Sequence, residues 1–289
     1  MTTTDKTLPD KMLLRSPLGI LATTTATHGT GADDDITLPK LPGFVESAFS
    51  PLAYEVSRRI LTEHPGDGAR TAVALASLTG DTSTADLASR RMLSGRVHNP
   101  LLFMQATANS VLGYTSREFG ITGQMFSLST LDDPLTELLA MADLLLEDPE
   151  LDRVLVLGVE LGGGERVAAV HRELATGSGR PTTTPLPSSA GLAAAVLLGR
   201  PGDAGAPVSV RSAETTYDTG PARRPGSIQG LFELDEAHRR LLRDGGTHVL
   251  ATGPEAPAFI LSSPTDAPTE GHTEAEAGNE TETHPHAHQ

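Results

Sequence analysis

The turn Ser129-Thr130-Leu131-Asp132-Asp133-Pro134 lies between an apolar run and a leucine-rich one, and it gathers several side chains that could do chemistry. Asp132 or Asp133 could act as a base, a nucleophile or a ligand. The same residues also read as the start of a helix, because Asp is a good N-cap, Pro suits the first helical position, and such a cap stabilises by about 1 kcal/mol. Capping is the reading the residues favour, and a catalytic or ligand-binding carboxylate is the alternative. Ser110, Ser127 and Ser129 are candidate nucleophiles, but none sits in a G-x-S-x-G elbow. His284, His286 and His288 alternate in an acidic tail, where no fixed geometry would hold a structural metal. His28, His64, His98, His171 and His238 lack metal-ligand spacing and read as surface or loop residues. No metal site is expected. Gly162 to Gly164 carry no phosphate-binding or dinucleotide fingerprint and read as a turn. Asp33, Asp34 and Asp35 read as a solvated loop.

Composition narrows the chemistry further. The 289 residues include no cysteine, which excludes disulfides, thiolate metal sites and thiol nucleophiles. A formal charge of −15 argues against nucleic acid or an anionic membrane as partner. No run approaches the roughly 18 to 20 apolar residues needed to span a bilayer, and the first residues, MTTTDKTLPDK, lack the apolar core of a signal peptide. The reading is a soluble cytoplasmic protein with no cofactor. Aromatics make up 3% of the chain and Trp is absent, so the core must be aliphatic.

These side chains must be positioned by a chain in which strand and helix alternate, the pattern of an α/β domain with a largely buried sheet. Residues 1–11 read as a flexible N-terminus, residues 12–263 as one domain, and residues 264–289 as a disordered acidic, histidine-containing tail. MLLRSPLGILAT predicts a first strand broken by Pro17 and Gly19, followed by an exposed, turn-rich connection, TATHGTGADDDITLPKLPG. An amphipathic helix follows from Ser50, with Leu52, Val56, Ile60 and Leu61 on one face. TAVALASLTG reads as a buried strand, TSTADLASRRMLSG as a helix ending near Gly95, and NSVLGYTSREFG as a helix ending at Gly120. QMFSLST and RVLVLGVEL read as strands flanking the helix that starts at Pro134. That helix is apolar around nearly its whole circumference and should be buried on more than one side. The segment from Gly162 to Ser189 reads as a polar Pro/Gly-rich loop, and AGLAAAVLLGR and PVSVRSAETTYD as strands. ELDEAHRRLLRDGG reads as a helix with Gly245 at its end, and THVLATGPEAPAFILSS as one or two closing strands.

From Arg70 to Arg200 the order of these features resembles the N-terminal half of a β-ketoacyl synthase of the thiolase-like superfamily. TAVALASLTGD resembles the family's strand and glycine turn. Asn99, Pro100, Asn109, Gly113, Gly120 and Gly123 fall in the pattern of the segment that precedes its nucleophile, and FSLST resembles the strand leading to it. VLVLGVE and SSAGLAAAVLLGR resemble two later strands. The resemblance puts Asp132 at the position of the family's nucleophilic cysteine. A carboxylate is a poor acyl nucleophile, and its charge would occupy the place where an oxyanion should be stabilised. Thr252, in Val249-Leu250-Ala251-Thr252-Gly253, falls at the position of one family histidine, and no segment resembling that of the second is found.

The resemblance implies a thiolase-like, layered α-β-α sandwich corresponding mainly to one half of a ketosynthase, in which the helix after the nucleophile lies in a central layer. A lone half would leave that helix poorly covered, so the missing contacts must come from the residues after Arg200 or from another subunit. It also implies a chain without intrinsic condensing activity, a pseudoenzyme similar to a chain-length factor. Such a subunit would pair with a catalytic ketosynthase and shape the acyl tunnel for a polyketide or fatty acyl chain. Phe103, Met104, Asn109, Met125 and Phe126 become candidates for the interface or tunnel wall, with core packing the competing use of the large apolar ones. An acyl carrier protein is a further implied partner. Two alternatives stay open: an acyl-transfer or hydrolytic enzyme using Asp132 or a nearby serine, and a structural homodimer or carrier-binding accessory.

Overall fold

A computed structural model describes residues 14–95, 100–131, 133–178, 186–202, 205–213, 226–251 and 258–263. The first strand, β1 (Leu18–His28), is followed by helix α1 (Phe49–Glu63), strand β2 (Thr71–Ala76), and helices α2 (Thr82–Leu93), α3 (Pro100–Ala106) and α4 (Ala108–Phe119). Then come β3 (Met125–Leu128), α5 (Pro134–Leu145), β4 (Arg153–Leu161), α6 (Glu165–Ser178) and β5 (Gly191–Gly199). The remainder supplies β6 (Val208–Ser212), α7 (Gln229–Asp244), β7 (Gly246–Ala251) and β8 (Ala258–Ser263).

All eight strands join one sheet in the order β3-β2-β4-β5-β1-β6-β8-β7. The β3-β2-β4 part is parallel and its strands are linked by helices, as parallel crossovers require. From β4 to β7 every neighbouring pair is antiparallel. Strands β2, β4 and β5 are continuous apolar runs because helices cover both faces of the sheet. One aliphatic core lies between the sheet and α5 with α7. The other lies between the sheet and α1 with α4, where Tyr54 donates to Glu118 at 2.6 Å and packs edge-on against Tyr114. The result is a layered α-β-α sandwich.

The leucine-rich helix α5 is buried along most of its circumference, as its composition predicts. Its cover comes from the chain itself. The sheet lies beneath it, and α7 packs alongside. Leu14 rests on the same core, and Arg15 donates its N–H to Asp143 at 2.7 Å. The guanidinium of Arg200 closes the C-terminal end by donating to the carbonyls of Leu146, Asp148 and Leu151 at 2.7 to 2.8 Å. Gly158 lets α7 come close, since a Cβ there would lie 2.4 Å from Leu231 Cδ1 and 3.0 Å from Ile228 Cγ2. Leu144 is the one exposed large apolar residue of α5, while half-buried Met141 packs against the core.

Three expectations need correction. Thr25 to His28, assigned to the exposed connection, form the end of β1, where Thr25 meets Asp235 and Arg239 of α7. Glu165–Ser178 is a helix where a polar loop was expected, because the flanking glycines and prolines mask a short helical run anchored by buried Val167. His238, read as a surface or loop residue, is 4% exposed on the inner face of α7. The predicted strand PVSVRSAETTYD is seen as β6 up to Ser212, and its end lies outside the described residues, as do the tail and residues 1–11.

Candidate functional site

The turn that gathers the candidate chemistry sits at the N-terminus of α5, beyond the end of β3. Asp133 is the N-cap: its Oδ2 accepts from the Thr136 N–H at 3.0 Å and from the Thr136 hydroxyl at 2.8 Å. The Glu137 N–H bonds to the Asp133 carbonyl, and buried Thr130 donates its hydroxyl to the Glu137 carboxylate. The amides of Thr136 and Glu137, at the positive end of the helix, are therefore already committed within the turn. Two carboxylates crowd the place where an acyl-transfer site would need donors for a developing oxyanion. Asp132 lies outside the described residues, as does Thr252.

Two of the three candidate serines are engaged as well. Ser129 donates to the Leu78 carbonyl at 2.8 Å and Ser110 to the Met104 carbonyl, so both hydroxyl protons are used in holding backbone. Near the N-terminus of α7, Glu160 at the end of β4 accepts from the Ile228 N–H at 3.3 Å, a bond between strand and helix. Asp35 closes its loop by accepting from Thr30 and from the Gly31 N–H.

The tunnel and interface candidates separate into two groups. Met125 and Phe126 lie on β3, which among the described strands pairs only with β2 and forms one edge of the sheet. They point to opposite faces, Phe126 packing against the α5 core and Met125 against the α1 core, and both are half-buried. Phe103 and Met104 lie on α3 and are 47% and 63% exposed. Leu101 is exposed there too, while Leu102 beside it points inward, and Asn109 is exposed in the first turn of α4. Leu101, Phe103 and Met104 make an exposed apolar ridge on α3, which packs against α2, where Met92 and Leu93 are exposed as well.

A separate cavity of about 340 Å³ opens beside the C-terminal ends of β1 and β4, with His28, Glu46, Ser47, Ser83 and Leu161 in its wall. His28 Nδ1 is 2.9 Å from the Ile36 carbonyl, and Glu46 is paired with Arg91 at 3.3 Å. Among the described residues there is no metal-ligating cluster and no helix long and apolar enough to cross a membrane.

No family model matches the sequence, and no curated protein matches it. Among solved structures, the fold matches a ketosynthase in complex with its chain length factor from Xenorhabdus doucetiae. That match has a TM-score of 0.51 and 18% identity, covering 84% of this chain and 99% of the other. The ishigamide ketosynthase/chain length factor aligns with a TM-score of 0.48 and 18% identity over 79% of this chain and 73% of its own. A β-ketoacyl synthase from Burkholderia phymatum aligns with a TM-score of 0.49 and 13% identity over 88% and 99%. The first match defines the architecture. This chain has the thiolase-like α/β fold of ketosynthase-type proteins, and it has no cysteine anywhere in its sequence.

Proposed function

We propose that this protein is a non-catalytic ketosynthase-like subunit that pairs with a catalytic ketosynthase, as a chain length factor does, and helps shape the tunnel for a growing polyketide or fatty acyl chain. The observation that carries this reading is the presence, in one chain, of a sheet edge at β3 with no further strand beside it among the described residues and of the exposed ridge of Leu101, Phe103 and Met104. An open edge strand offers backbone donors and acceptors to a partner, and exposed apolar side chains supply area that such pairing needs. The lack of a catalytic role is supported by the absence of cysteine and by the carboxylate-filled start of α5. The same fold in a ketosynthase and chain length factor complex agrees with the proposal.

The test is co-expression with a ketosynthase encoded beside it, followed by co-purification and measurement of product length. A stable complex is expected, one that Phe103→Glu and Met104→Glu weaken at least tenfold while leaving the isolated chain's unfolding midpoint unchanged. Phe103→Ala should keep the complex and shift the product chain length. Failure to form the complex would overturn the pairing, self-association through the same ridge would favour a homodimer, and an intact complex with an unchanged product profile would reject the tunnel role.

A further inference from the structure

Helix α7 is fastened to β1 by a polar network in which Asp235 and His238 are buried and Thr23 and Thr25 half-buried. Its geometry starts from an irregularity in β1. Pairing with β5 matches Ile20 to Leu198 and Ala22 to Leu197, so Leu21 is a surplus residue in a β-bulge. A bulge shifts which residues face each side of a sheet. Leu18 and Ile20 face the α5 and α7 core, and beyond the bulge Thr23 and Thr25 take over that face while Ala22 and Ala26 turn toward α1.

Onto these threonines α7 lowers Asp235, 3% exposed, and His238. Thr23 Oγ1 lies 2.7 Å from Asp235 Oδ1 and 3.0 Å from His238 Nδ1. Thr25 Oγ1 is 3.5 Å from Asp235 Oδ2, and Arg239 pairs with that carboxylate and reaches Thr25 Oγ1 at 3.4 Å. A hydroxyl has one proton to give, and a carboxylate can only accept. Thr23 must therefore donate to Asp235 and accept from His238. The imidazole proton sits on Nδ1, and Nε2 is left as a bare lone pair, buried and without a hydrogen-bond partner among the described residues.

We infer that this network is an acid-labile latch: α7 stays docked on β1 while His238 is neutral, and protonation of His238 at Nε2 releases the helix from the sheet. The added proton would create a cation with a buried, unanswered N–H, a costly state. Burial holds the His238 imidazole below its ordinary range, with Asp235 opposing that shift and Arg239 reinforcing it. Several charged groups on neighbouring elements are engaged elsewhere. Asp143 of α5 is bonded to the Arg15 N–H, Glu160 of β4 to the Ile228 N–H, and Arg59 of α1 reaches the Thr25 carbonyl. His248 of β7 sits on the strand that follows the far end of α7. Toward this helix β1, β5, β6 and β8 turn threonines, aliphatic groups and Phe259. Release would uncover the flank of α5 and the apolar face of Leu231, Leu234 and Leu241.

Because the folded state disfavours the proton, the unfolded or undocked state takes it up first. The stabilisation is complete above the unfolded value of about 6.5 and is lost as pH falls through and below it, with a limiting slope of about tenfold in the folding constant per pH unit. The test compares the full chain with His238→Asn, whose amide can donate to Thr23 in place of Nδ1–H but does not titrate. Denaturant midpoints from pH 8 to 5.5 should fall more steeply for the wild type, and hydrogen exchange should show the α7 amides opening before those of β2 on acidification. Equal slopes, or opening of α7 and β2 together, would overturn the latch. Independently of any variant, NMR of the wild type should show Nε2 unprotonated at pH 7.5 and His238 titrating below the exposed histidines. Titration at or above theirs would refute the proposal.

Discussion

At the N-terminus of α5, one carboxylate does the work of a helix cap, and its removal has a calculable effect. Asp133→Ala leaves the Thr136 N–H and hydroxyl without their acceptor and should destabilise the chain by about 1 kcal/mol, while Asp133→Ser should restore most of the loss; chemical denaturation measures both. This role was legible in the sequence because Asp followed by Pro is a local signal. The buried histidine was not recognised, although its signal was present: Leu231, Leu234, Asp235, His238 and Leu241 follow helical spacing, which places His238 on the inner stripe of α7. Spacing alone could not supply its partners, since Thr23 lies more than two hundred residues away in the chain. Nor could it show that the hydroxyls of Ser110 and Ser129 are tied to carbonyls.

At the scale of elements, the apolar strands and the leucine-rich helix declared themselves because burial on both faces demands continuous hydrophobicity. Leu139 on α5 is wholly buried, so Leu139→Ala should cost about 2 to 5 kcal/mol, read from the unfolding midpoint. Strand β1 was only half legible, for two reasons. Its threonine-rich end satisfies polar partners inside the fold, and a bulge breaks the alternation from which a strand's faces are normally read. Helix α6 escaped notice because it has few buried anchors, with Val170 exposed and Val167 tucked against Gly163. The ridge on α3 could be proposed from a resemblance but not located: only the fold shows that Leu102 turns inward while Leu101, Phe103 and Met104 turn out.

Across the whole molecule, β6, β7, β8 and α7 answer a question that composition raised, namely what covers a helix too apolar for a surface. They extend the same sheet and set α7 beside α5. The extended sheet has a second open side, because β7 pairs only with β8 among the described strands. Its two ends are different strands, so contact between the β3 edge of one copy and the β7 edge of the next would be head-to-tail, and repetition of that contact generates an open ribbon instead of a closed pair. A partner seated on β3 would therefore also act as a chain terminator. Sedimentation velocity of the chain alone should show species that grow with concentration beyond a dimer, and addition of the partner should collapse them to one defined complex.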